Sequence, residues 1–257
     1  MSRWLEYCDN HHSDAKDDYK CRLPVGDSVP TLFPGLSVLR YIDVMDGCVV
    51  EVRDPVPDYL TISYVWGAVC NFRLTRANRP SLLLPGAIQQ VWANLPATIR
   101  DTITLCQNLG KRYLWVDSLC LLQNDKEDDA RGVEVMDRIF GRALLTIVAA
   151  CGHDANAGLP GVRPGNRAEQ ALTREVCLGI FLGAYIAAEH LLLTSVYNTR
   201  AWTYVFLPRT ICAYLLMLCS VDSKRTRYPD DHYISSKTRS SSNVNCPNLR
   251  RWWTKGL

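Results

Sequence analysis

The chain has 257 residues, 47% of them hydrophobic, enough for one sizeable core plus an appendage. Its net charge of +3 is unevenly placed: from Asp222 onward eight Lys/Arg stand against three Asp, so the body before it is mildly acidic. That body lacks the clustered basic face of a nucleic-acid binder, and no apolar run reaches the roughly 20 residues of a membrane span.

Residues 1–30 are polar and irregular, with no apolar leader core in Met1 to Leu23. Cys8, His11, His12 and Cys21 fall close together, but their spacing fits no usual structural zinc pattern; a solvated helix and loop is the plainer reading. The eleven cysteines form no CxxC pair, which reads as reduced, mostly buried thiols in a cytoplasmic protein. Leu36 to Asp43 and Cys48 to Val52 read as a hairpin around Asp46-Gly47, a dipeptide that tolerates positive φ. Tyr59 to Gly67 is a β-prone run rich in branched and aromatic residues, and Gly67 allows a sharp turn or a close approach at its end. Asn94 to Gly110 has helical spacing at Ile99, Ile103 and Cys106, with Pro96 at its start and Gly110 as its stop.

Tyr113 to Leu119 then reads as a buried strand. It delivers Asp117, Ser118, Cys120 and Gln123 within seven positions, and ligands settle at the carboxyl ends of such strands. The plainer alternative is a core strand with a capping Asp. Asn124 to Asp129 opens a second helix with its carboxylates at the favourable end and a stripe of Val133, Met136, Ile139 or Phe140, and Ala143. Leu144 to Ala150 is a third parallel strand, Gly152 to Gly165 a loop, and Val176 to Ala187 and Leu191 to Val196 are further strand candidates. Strand–helix–strand order predicts an α/β fold with an open parallel sheet flanked by helices. The Ser-, Arg- and Lys-rich end is predicted to be a disordered tail, because it cannot bury enough surface to offset its ordering entropy.

Several stretches together resemble the fungal heterokaryon-incompatibility (HET) domain: Leu60 to Gly67, Leu95 to Asp101 with Arg112 to Gln123, Met136 to Ala150 with His153 to Val162, and Arg200-Ala201-Trp202-Thr203. The resemblance spans roughly residues 58–204. It divides the chain into an N-terminal extension with a hairpin (1–57), a C-terminally truncated HET domain (58–206) and a divergent basic tail (207–257). It implies a distant TIR-like fold and a role in nonself recognition and programmed cell death. The implied partners are other HET or death-signalling proteins, or a second copy of the chain.

Some TIR domains cleave NAD with a helix-borne Glu, and the HET pattern at this point reads Trp-Thr-x-Gln-Glu. Here Trp202-Thr203-Tyr204 is followed by Val205 and Phe206, so the carboxylate is missing and activity is expected to be absent or weak. So abrupt a departure is what a shifted reading frame or a retained intron would produce; an in-frame transcript across Tyr204 to Arg209 would remove that idea.

Two functional readings follow, beside the blander one of a truncated, non-functional fragment. In one, the domain signals by assembly, without a cofactor. In the other it is a nucleotide glycohydrolase, with NAD as substrate. Its site would comprise Ser63, Tyr64, Trp66, Gly67, Cys120, Gln123 and Trp202, with Asp117 orienting a ribose hydroxyl, Trp66 stacking on a ring and Gln123 holding an amide. Asp117, Glu175 and Glu189 are then the remaining acid/base candidates. A nucleophilic Cys120 would need His153 or His190 beside it, and a buried thiol is the plainer reading. No Gly-rich phosphate loop is present.

Overall fold

The computed structural model describes residues 27–69, 72–150, 152–166 and 195–199 in full, and the backbone of 172–177, 180–184 and 216–217. All of these fall in one compact unit, 1–221. The expectations for residues 1–26 and for the tail from 218 lie outside the described residues.

A helical turn, α1 (Val29–Leu32), leads into β1 (Leu39–Asp43) and β2 (Cys48–Val52), an antiparallel pair with Tyr41 opposite Val50. The turn forms where the Asp-Gly signal put it. Asp43 Oδ1 accepts the N–H groups of Met45 (3.0 Å) and Asp46 (3.1 Å), and Gly47 takes φ 63°. Then come β3 (Tyr59–Tyr64), the short helices α2 (Arg79–Leu82) and α3 (Ala87–Gln90), and α4 (Ala97–Asn108). They are followed by β4 (Tyr113–Trp115), the helical turn α5 (Asp117–Cys120), α6 (Lys126–Glu134), α7 (Met136–Arg142) and β5 (Leu145–Ala149). β6 (Leu172–Cys177) and β7 (Ile180–Ala184) form a separate antiparallel pair, and β8 (Leu216–Met217) closes the described chain.

The main sheet has the order β2-β1-β4-β3-β5-β8. β4, β3, β5 and β8 run parallel, and β1 joins β4 antiparallel. This is the open, mostly parallel α/β sheet flanked by helices that the strand–helix–strand order predicts. The N-terminal hairpin belongs to that same sheet. From β3 the chain moves to one side for β4, then returns across β3 to β5 on the other. The right-handed crossover rule puts α4 and α7 on opposite faces, with the topological switch beside β3.

Alternation along β3 sends Tyr59, Thr61 and Ser63 to one face and Leu60, Ile62 and Tyr64 to the other. Tyr59 donates its hydroxyl to Ile139 O (2.7 Å), and Trp115 meets Phe140 edge-on at 5.5 Å, so α7 covers the first face. Thr61 and Thr146 join their hydroxyls across β3 and β5 (2.8 Å). α4 packs on β3 and β4.

Several boundaries differ from the sequence reading; β3 stops at Tyr64, and Val176 to Ala187, read as one strand candidate, takes in the end of β6 and then β7. The strand predicted over 113–119 ends at Trp115, because Asp117 and Ser118 start a helical turn that a short apolar run does not reveal. The single helix predicted after Asn124 is two, parted at Val135 (φ −104°, ψ 9°), whose side chain is buried at the junction. Val196 lies in a 3₁₀ turn, Val196–Thr199, rather than a strand; Leu191 to Thr194 lie outside the described residues.

Glu51 of β2 accepts Arg79 Nε (2.8 Å) and Nη2 (2.6 Å), and also Arg40 Nε (3.0 Å). Arg79 chiefly, with Arg40, holds the Glu51 carboxyl below its ordinary range against the opposing effect of burial. A carboxylate depressed in the fold stabilises it fully above the unfolded pKa of about 4.3, and that contribution is lost as pH falls through the lower folded value. Denaturant titrations from pH 7 to pH 3 should therefore show a shallower acid slope for Glu51→Gln than for the parent chain; equal slopes would remove Glu51 from the acid response.

Candidate functional site

The carboxyl ends of the parallel neighbours β4, β3 and β5 lie side by side at the switch in strand order, the place where open α/β sheets bind ligands. Trp66 lies two residues beyond β3, Asp117 opens the turn after β4, and Asp154 follows β5. The Trp66 indole N–H donates to Asp117 Oδ2 at 2.9 Å. Asp117 Oδ1 accepts the N–H of Ser118 at 2.7 Å, so N–H donors hold both carboxylate oxygens in place. Gln123 donates its amide to the backbone oxygens of Asp117 (3.2 Å) and Leu121 (3.5 Å), tying the turn into a ring. The sequence reading thus placed Trp66, Asp117 and Gln123 together, and the structure does bring them together.

The other residues named from sequence take different places. Tyr64 is buried and donates its hydroxyl to Ser118 Oγ at 3.1 Å, bracing the turn from the sheet. Ser63 points to the other face and accepts the Tyr197 hydroxyl at 2.6 Å. Cys120 is a core residue, 1% exposed; its sulfur accepts the Val116 N–H at 3.3 Å, and burial pushes its thiol up to about 12. A thiol so shifted stays protonated near neutral pH, which argues against a nucleophile there. His153 is exposed. Trp202 and Glu189, together with Val205 and Phe206, lie outside the described residues, and Glu175 is described only as backbone in β6. Among the described residues, no group of three or more His, Cys, Asp and Glu is placed to hold a metal ion, and no helix is long and apolar enough to cross a membrane.

The sequence reading missed two supports. The segment before α2 is pinned to the Asp117 turn by two backbone bonds, Leu74 N–H to Ser118 O (2.8 Å) and Gln123 N–H to Leu74 O (2.9 Å). These set Arg73 over the Trp66 ring, its guanidinium carbon 4.9 Å from the centroid. On the opposite side, Ala155 donates its N–H to Trp66 O (3.2 Å), drawing the loop after β5 against β3. Neither support has a local signal, since each joins segments more than 40 residues apart.

Gly67 is where the two loops touch. Its φ is 66°, and an added Cβ would run into Asp154, lying 2.9 Å from that residue's Cα and closer still to its Cβ. Gly67→Ala is therefore expected to cost about 1–2 kcal/mol, from the left-handed backbone and the displaced loop together. Chemical denaturation measures it, and an unchanged midpoint would mean that the loop yields without cost.

A family model described as heterokaryon incompatibility protein (HET) matches residues 59–205. No curated protein and no solved structure matches the chain.

Proposed function

The chain belongs to the heterokaryon incompatibility (HET) family, and from that we propose that it acts in fungal nonself recognition as a death-signalling domain that works by assembly. The observation that carries this reading is the match over 59–205; at Val205 and Phe206 the chain lacks the Gln and Glu that the resemblance leads one to expect. Loss of that carboxylate removes the acid/base group a glycoside cleavage needs and leaves an assembly role intact. In this reading the chain acts in the cytoplasm, and its partners are other HET or death-signalling proteins or a second copy of itself.

The second reading is a TIR-like nucleotide glycohydrolase, favoured by the joined Trp66, Asp117 and Arg73. Asp117 would orient a ribose hydroxyl with a carboxylate held in place by the Trp66 and Ser118 N–H groups. Arg73 would supply a cation for the phosphates. One comparison separates the readings. The parent chain and a Val205→Gln, Phe206→Glu variant are incubated with NAD, nicotinamide release is followed, and both are expressed in fungal cells. Death without turnover by either supports assembly. Turnover by the double variant alone supports a lost enzyme, and turnover by the parent chain overturns the assembly reading.

A further inference from the structure

The family match begins at residue 59, yet the turn that carries Asp117 and Gln123 is held from outside it. Arg40 lies on β1, 6% exposed, in the hairpin that precedes the match. Its guanidinium makes a two-pronged pair with Asp128 of α6, Nη1 to Oδ2 and Nη2 to Oδ1, both at 2.9 Å. The same Nη1 donates to Cys120 O at 3.3 Å, and the same Asp128 Oδ2 accepts the Leu122 N–H at 2.8 Å. The fork therefore grips the segment between Asp117 and Gln123 twice, once at a carbonyl and once at an amide. Glu51 accepts the remaining Nε and does not touch the turn.

We infer that Arg40 is a positioning residue for the 117–123 turn, and that the hairpin 39–52 is an integral part of the site. Lysine cannot replace it, because an ammonium group cannot span Asp128 and Cys120 O in one plane. The inference rests on Trp66, Asp117 and Gln123 being the site; its test needs neither ligand nor turnover, so failure of the nicotinamide assay leaves it standing.

The experiment uses the full-length chain labelled with ¹⁵N. Amide exchange is measured at Cys120 to Gln123 against the sheet amides of Leu60 and Ile147, and the Trp66 indole N–H resonance is assigned with Trp66→Phe. Arg40→Lys and the milder Asp128→Asn are expected to speed exchange at Cys120 to Gln123 at least tenfold relative to the sheet and to move the indole resonance. Glu51→Gln is expected to do neither. Should Arg40→Lys fail to fold, Asp128→Asn carries the test alone. Uniform acceleration, an unmoved indole signal, or the same local effect from Glu51→Gln would overturn the assignment.

Discussion

Trp115→Ala should lower the unfolding free energy by about 3–5 kcal/mol, while Trp115→Phe should cost under about 1.5 kcal/mol. Trp115 is fully buried on β4. The register that pairs Ile42 with Leu114 and Thr61 with Trp115 puts it between Tyr41 and Thr61 on the face that α7 covers. Alanine would leave a hole beside Phe140 in a layer that cannot collapse, because strands fix it on both sides. Phenylalanine keeps the edge-on contact and removes an indole N–H that finds no hydrogen-bond partner among the described residues. A buried donor without a partner costs about 1–3 kcal/mol, so its removal offsets much of the lost volume. The same logic gives Tyr41→Phe a gain, since the Tyr41 hydroxyl is also buried without a partner there. Denaturant unfolding of the variants decides it. Trp115→Phe as damaging as Trp115→Ala would mean that the indole N–H is satisfied after all.

What the sequence revealed and what it hid divide by range. Tyr59 to Tyr64 and Leu145 to Ala149 carry their β character in side-chain type, and the helical stripe of Ile99, Ile103 and Cys106 stands between β3 and β4, so parallel pairing followed from local pattern. Asp46-Gly47 announced the hairpin. The end of β4 is misplaced in that reading because the four residues of the helical turn, Asp117 to Cys120, follow the three of β4 with no Gly or Pro to mark the change. The meeting of Trp66 with Asp117 followed from topology, since both end parallel neighbours. Arg40 with Asp128, and Arg73 over Trp66, could not be read in advance. Their charges look like ordinary surface residues until the fold carries them into place across 88 residues in the first case. Gly132 is similar: an added Cβ there would strike the Leu121 side chain, which no helical pattern foretells.

Asp101→Ala is expected to cost about 2–3 kcal/mol and to release the loop after β5. α4 has two buried faces: Ile99, Ile103 and Cys106 give an apolar stripe, while Thr98, Asp101 and Thr102 make a polar one. Asp101, 3% exposed, accepts the Leu159 N–H on Oδ2 (2.8 Å), and Arg163 Nε lies 3.0 Å from its Oδ1. Beside it Thr98 Oγ1 accepts the Gly158 N–H (3.0 Å), and Thr98 donates its own N–H to Ala155 O (3.0 Å). Gly158 leaves just enough room, since an added Cβ would sit 2.6 Å from Asp101 Oδ2. Removing the carboxylate strands a buried Leu159 N–H, the larger cost; Arg163 is half exposed and regains water. Asp101→Asn keeps an acceptor for Leu159 and should lose less, about 1 kcal/mol. The loop also carries Asp154 against Gly67 and Ala155 on Trp66 O, so its release should reach the Trp66–Asp117 pair. Limited proteolysis should cut within 152–166 faster in Asp101→Ala than in the parent chain, and the Trp66 indole resonance should broaden in step. Faster cutting with that resonance unchanged would separate the loop from the site and confine Asp101 to stability alone.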